Sequence, residues 1–112
     1  YPTLLDLCGL GTNKVLDGQS LVPLLEDPKA QWDRPALTTY GRNNHALRTP
    51  RWRYIRYADG SEELYDHTAD PNEWTNVAAK PEHAALKREL TKAFPKKNVP
   101  GAGAYNKGQR KK

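Results

Sequence analysis

The side chains best suited to chemistry cluster around one polar loop. His45 ends the run GRNNH (41–45), and Arg42, Arg48, Arg51 and Arg53 lie close to it in sequence. A loop that presents an imidazole beside two or more guanidinium groups can hold an oxyanion such as sulfate or phosphate. The planar guanidinium fork matches the oxygens of such an ion in charge and spacing. His45 and Arg48 are therefore the expected substrate-binding residues, as ligands for an anionic or sugar group and not as reactants. Arginines on a strand also serve as plain ion-paired surface, and the acid-rich segment that follows offers the partners. The other two histidines, His67 and His83, fall at a strand end and in a first helical turn, where structural and solvated roles suffice.

That acid-rich segment, YADGSEELYDHTADPNEWTN (57–76), raises the alternative of a carboxylate-lined metal loop. Its acids, Asp59, Glu62, Glu63, Asp66, Asp70 and Glu73, do not follow the donor spacing of a calcium loop. Turn chemistry accounts for them instead. Asp59-Gly60 between two aromatic runs reads as a two-residue hairpin turn, which sets Arg56 opposite Glu63, Tyr54 opposite Tyr65 and Arg53 opposite Asp66. Asp70, Pro71 and Glu73 read as the cap, first position and capping-box carboxylate of a short helical turn that packs Trp74. No metal site is expected here. No nucleophile stands out either: Ser20 reads as a cap, Ser61 as a turn residue, and no glycine loop cradles a phosphate. Cys8, the single cysteine, lacks an adjacent base and lies in the apolar run LLDLCGL, where a buried structural thiol is expected.

Length and charge narrow the function classes. A chain of 112 residues has room for one compact domain with a small core. The net charge of +5 is carried by the end of the chain, since residues 96–112 hold six Lys and Arg and no acid, leaving −1 for residues 1–95. That basic tail is expected to be disordered and solvated, so no specific nucleic-acid face is expected. One cysteine excludes an internal disulfide and a multi-cysteine zinc site. No segment is long enough to cross a membrane.

The elements that must position the candidate residues follow from local signals. Pro2 and the stripe Leu4, Leu5, Leu7, Cys8 predict a helix that begins at residue 1, which suggests upstream sequence for it to pack on. Ser20 and Leu21, Leu24 and Leu25 predict a second short helix. From Arg34 the period changes: residues 35–40, 45–49, 51–57 and 62–67 read as four strands rich in Thr, Tyr, Trp and Ile. Pro81 opens a last helix with Leu86, Leu90, Ala93 and Phe94 at helical spacing, and Pro95 ends it. The expected form is α+β: a small antiparallel sheet of about four strands with a C-terminal helix packed on it, preceded by short helices.

Taken in order, YPTLLDLCGL, LDGQSLVPLL, WDRPALTTYGRNNHALRT, RWRYIRYADGSEELYDHTADPNEWTN and PEHAALKREL resemble the C-terminal part of type I sulfatases, with the iduronate-2-sulfatase-like group as the nearest look. The resemblance spans residues 1–94. It implies an alkaline-phosphatase-like parent that hydrolyses sulfate esters and is periplasmic or secreted. Its calcium site and formylglycine nucleophile, made from a Cys/Ser-x-Pro-x-Arg motif, belong to a catalytic domain outside this chain. Cys8 is followed by Gly9, Leu10 and Gly11 and is not that motif. Residues 1–30 would then be the last helical elements of the catalytic domain, 31–95 the C-terminal subdomain and 96–112 the tail. The implied role is to pack on the catalytic domain and shape its cleft for a sulfated carbohydrate, this chain alone being inactive. The competing expectation is a free-standing module for sulfated or phosphorylated polyanions.

Overall fold

In the computed structural model, residues 1–11 and 15–99 are described. They divide into two units, residues 1–33 and residues from 34 onward.

The first unit holds α1 (Pro2–Leu7) and α2 (Val22–Glu26), each with a proline in its opening turn, where the missing N–H has no helical partner to lose. Gly9, at φ +65°, ends the first helix in the left-handed region that glycine enters without penalty. Ser20 joins the two helices: its hydroxyl donates to Asp6 Oδ2 at 2.6 Å and accepts the Val22 N–H at 3.2 Å. Leu4, Leu7 and Leu25 remain exposed. Cys8 is exposed too, against the expectation of a buried thiol. The five-residue α2 is too short to cover both sides of α1.

The second unit is built on one antiparallel sheet in the order β1 (Ala36–Thr39), β2 (His45–Arg48), β3 (Trp52–Arg56), β4 (Glu62–Asp66). These are the four expected strands, shortened at their ends. Alternation along them gives the sheet two faces. On one, Leu47, Tyr54 and Leu64 stand in a row across three strands and are 1%, 1% and 0% exposed. A single turn of 3₁₀ helix (Pro81–His83) leads into α3 (Ala84–Thr91), and Leu86 and Leu90 pack onto this row together with Ala78 and Phe94. The outer edge of β4 is covered as well. The Asn76 side chain accepts the Leu64 N–H at 3.0 Å and Val77 donates to the Leu64 carbonyl at 2.9 Å, which satisfies groups that an edge strand otherwise leaves open.

The β3–β4 register differs by one residue from the two-residue turn expected from Asp59-Gly60. Arg56 faces Glu62, Ile55 faces Glu63, Tyr54 faces Leu64 and Trp52 faces Asp66. The loop has three residues: Gly60 donates to the Tyr57 carbonyl at 3.0 Å, and Gly60 takes φ +87° before Tyr57 donates to Ser61 at 2.9 Å. This is the turn-plus-glycine-bulge solution. Magnitudes explain why it wins. The observed register places Tyr54 and Leu64 on one face, and burying two large side chains contributes roughly 1.5–3 kcal/mol each. The two cross-strand ion pairs of the alternative would contribute about 0.2–1 kcal/mol each.

The short helical turn expected at residues 70–76 does not form. Glu73 adopts φ +59°, which breaks any helical run, and Asp70 Oδ2 instead accepts the Thr75 N–H at 2.7 Å. Trp74, expected to pack, is 84% exposed. Of the stretch assigned to a basic tail, residues 96–99 are described, and Asn98 bonds to Asn43 and His45. Residues 100–112 lie outside the described part.

Candidate functional site

The two expected substrate residues lie on opposite faces of β2. His45 is on the helix side and only 2% exposed. Its ring packs against Phe94 at 5.1 Å between centroids. Asn98 Nδ2 donates to Nε2 at 2.9 Å, which leaves Nδ1–H to meet Thr39 Oγ1 at 3.0 Å, so the neutral ring is fully engaged. A substrate group reaches this ring only by displacing that cover. Burial, and then the nearby Arg56 charge, hold the His45 pKa below its ordinary 6.5. Because the folded value is the depressed one, the stabilisation is fully present above pH 6.5 and falls as pH drops through the folded value. Thermal midpoints measured from pH 7.5 to 4.5 should therefore decline more steeply for the wild type than for His45→Gln. Parallel slopes would contradict this arrangement.

Arg48 lies on the other face and is exposed. There, Thr38, Ala46, Arg48, Arg53, His67 and Glu73 line a depression of ≈ 490 Å³. Glu73 reaches back over the sheet and accepts from Arg53 Nη1 at 2.9 Å through one oxygen and meets His67 Nε2 at 2.5 Å through the other. Arg48 Nη1 is 2.7 Å from the same Nε2. Arg53 and Arg48 are neighbours across the β2–β3 pair, so the alternation of the strands brings two guanidinium groups to one place.

Arg51 of the expected cluster, and Arg56 and His83 outside it, are engaged elsewhere. Arg51 makes a two-point bond to Asp66 at 3.0 and 2.6 Å, and its guanidinium lies 4.7 Å from the Trp52 ring centre. That bond holds the Asp66 carboxyl down at about 2. Arg56 covers Phe94 at 4.5 Å. His83 is half-buried, edge-on to Trp52 at 5.3 Å. Glu63 faces no arginine but accepts from the hydroxyls of Tyr57 and Tyr65, both at 2.8 Å. That bond, with burial second, pushes the Tyr65 hydroxyl up to about 12. Glu62 bonds Lys87 at 2.5 Å and the Tyr54 hydroxyl. Burial alone would raise the Glu62 pKa, but those two partners outweigh it and the value is lowered.

His67 and Glu73 are the site residues that the sequence reading passed over. The signal for His67 was present in the strand period, which puts Glu63, Tyr65 and His67 on the same face once the register is known. Glu73 had no such signal, because its placement depends on a left-handed residue outside any regular element. Among the described residues no three His, Cys, Asp or Glu side chains converge as a metal site, and Glu62, Asp66 and Glu73 are each engaged by a cation.

Comparison with known proteins gives the lineage. The family model for the C-terminal region of N-sulphoglucosamine sulphohydrolase matches residues 1–99. A sulfatase of Formosa agariphila is 43% identical over 99 residues, covering 88% of this chain and 20% of the relative. Human arylsulfatase K is 37% identical over 95 residues, covering 71% of this chain and 18% of the relative. The structure of BT4656, solved with its substrate D-glucosamine-2-N,6-O-disulfate, superposes with a TM-score of 0.65 at 32% identity, over 81% of this chain and 21% of that one. The chain thus spans about a fifth of the length of the relatives it matches. With the family model matched over residues 1–99 and relatives of this similarity, the chain belongs to the sulfatase C-terminal domain family.

Proposed function

We propose that this chain serves as the C-terminal subdomain of a sulfate-ester hydrolase, packing on a catalytic domain and forming one wall of its substrate cleft. The formylglycine nucleophile and calcium ion of such an enzyme belong to the catalytic domain, and the parent is exported to the periplasm or secreted. The match of the C-terminal family model to residues 1–99 carries this reading. The exposed leucines of the first unit agree with it, because an uncovered apolar stripe on a helix is a surface for another part of the protein. So does the substrate of BT4656, a sulfated glucosamine. The iduronate-2-sulfatase-like subgroup is a narrower form of the same proposal.

Within that cleft Arg48 contributes the guanidinium that meets a sulfate or other anionic group of a sulfated carbohydrate. His45 supports the wall from inside by fixing Asn98 and the loop at 41–44. Neither performs bond-making chemistry. The alternative of a free-standing polyanion-binding module has less support, since five of the cations of residues 1–95, Arg51, Arg53, Lys87, Lys92 and Arg56, are engaged by carboxylates or a ring.

The test is a sulfate-ester hydrolysis assay on the chain alone and after addition of a sulfatase catalytic domain lacking its own C-terminal part. No turnover is expected alone, and restored turnover is expected with the partner. Arg48→Gln should then raise KM about tenfold or more with kcat little changed, the pattern of a lost binding contact. Turnover by the isolated chain would overturn the proposal.

A further inference from the structure

The geometry around His67 assigns it a role that neither ring nitrogen of His45 can play. Its Nε2 faces two groups with opposite demands: Glu73 Oε1 at 2.5 Å needs a proton there, while Arg48 Nη1 at 2.7 Å needs a lone pair. The other nitrogen decides between them. Nδ1 is buried with no hydrogen-bond partner. A buried N–H without an acceptor is costlier than an unmet lone pair, so the proton sits on Nε2 and points at Glu73. Arg48 is then left against a donor. Among the described residues no carboxylate forms an ion pair with it.

Glu73 is the carboxylate that lines the same depression as Arg48, and both its oxygens are taken by Arg53 and His67. The arrangement is held at a cost, since a non-glycine residue at φ +59° is strained by about 1–2 kcal/mol. We propose that His67 and Arg53 together hold Glu73 away from Arg48 and so keep a guanidinium without a carboxylate partner in the depression for an oxyanion, a sulfate group in the first instance. His67 is in this view a positioning residue and touches no ligand itself. The inference rests on the reading that Arg48 is the anion contact, and goes beyond it by naming what keeps that contact available.

The test is a titration of the full chain with inorganic sulfate, followed by NMR of the Arg48 side chain and checked against Arg48→Gln. Wild type should bind, and Arg48→Gln should not. His67→Ala frees Glu73 to pair with Arg48 and should weaken sulfate binding about tenfold, while the double variant His67→Ala/Glu73→Gln should recover it. A merely structural histidine would show no such recovery. Should His67→Ala not fold, Glu73→Gln decides alone: it should tighten sulfate by about threefold, and unchanged or weaker binding would overturn the proposal. Binding that needs Arg48 but ignores His67 and Glu73 overturns this inference and leaves the Arg48 contact standing. No binding by wild type, or binding unaffected by Arg48→Gln, overturns both.

Discussion

Replacing Leu64 by alanine is expected to lower the stability of the sheet unit by about 3 kcal/mol. Leu64 is 0% exposed and lies between Tyr54 on β3 and the covering segment at 76–78, with α3 above. The truncation removes a buried isobutyl group, and its neighbours cannot close the gap. Tyr54 is tied through its hydroxyl to Glu62, and the backbone of residue 64 is fixed on its outer edge by Asn76 and Val77. The loss falls on a core of five buried apolar residues, in a domain size where total stability is about 5–15 kcal/mol. Urea unfolding followed by tryptophan fluorescence should show a much lower midpoint with an unchanged slope, which is the sign of lost stability without a changed denatured state. A shift worth less than about 1 kcal/mol would mean that the row Leu47–Tyr54–Leu64 is not the core.

Phe94→Ala should cost a similar amount, about 3 kcal/mol, although the residue lies beyond the last regular helix. Its ring stacks on Tyr54 at 5.6 Å and lies tilted against His45 at 5.1 Å, with the Arg56 guanidinium over its face at 4.5 Å. Aromatic and cation contacts of this kind add about 0.5–1.5 kcal/mol to simple burial. The truncation also has a specific readout. With Phe94 gone, water reaches the His45 ring, the burial that depresses its pKa is relieved, and the value should climb back toward 6.5. An NMR titration of His45 in the folded variant measures this directly. An unmoved His45 pKa would show that Phe94 is not what buries the ring.

Much of this architecture was legible in the sequence, for reasons that can be located. The four strands were found because HALR, WRYIR and EELYD alternate or carry β-branched and aromatic residues between turn formers. The last helix was found from Pro81 and the spacing of Leu86 and Leu90. The turn at Asp59-Gly60 was placed correctly but given one residue too few, and that single step moved every expected cross-strand pair. Arg56 and Glu63 ended on opposite faces, and Asp66 took Arg51 instead of Arg53. The segment at 70–76 carried good helix-start residues, yet Glu73 takes a left-handed backbone there and its carboxylate bonds Arg53 and His67 across the sheet.

The sequence by itself determined the class of fold, the order of elements, the absence of a nucleophile motif and the likeness to sulfatase C-terminal regions. These depend on local periodicity, on turn chemistry and on residue order, all of which are written along the chain. Only the tertiary structure decided which histidine stands beside Arg48. His45, next to the arginines in sequence, is turned into the core because Leu47 and Tyr54 must face α3 and the strand period carries His45 with them. His67, far from Arg48 in sequence, is carried to it by the pairing of three strands and by a carboxylate held at a left-handed residue. The physical reason is that a strand fixes where its side chains alternate but not which face will be buried. That choice is made by the largest apolar area available for burial, and here the area belongs to elements that arrive later in the chain.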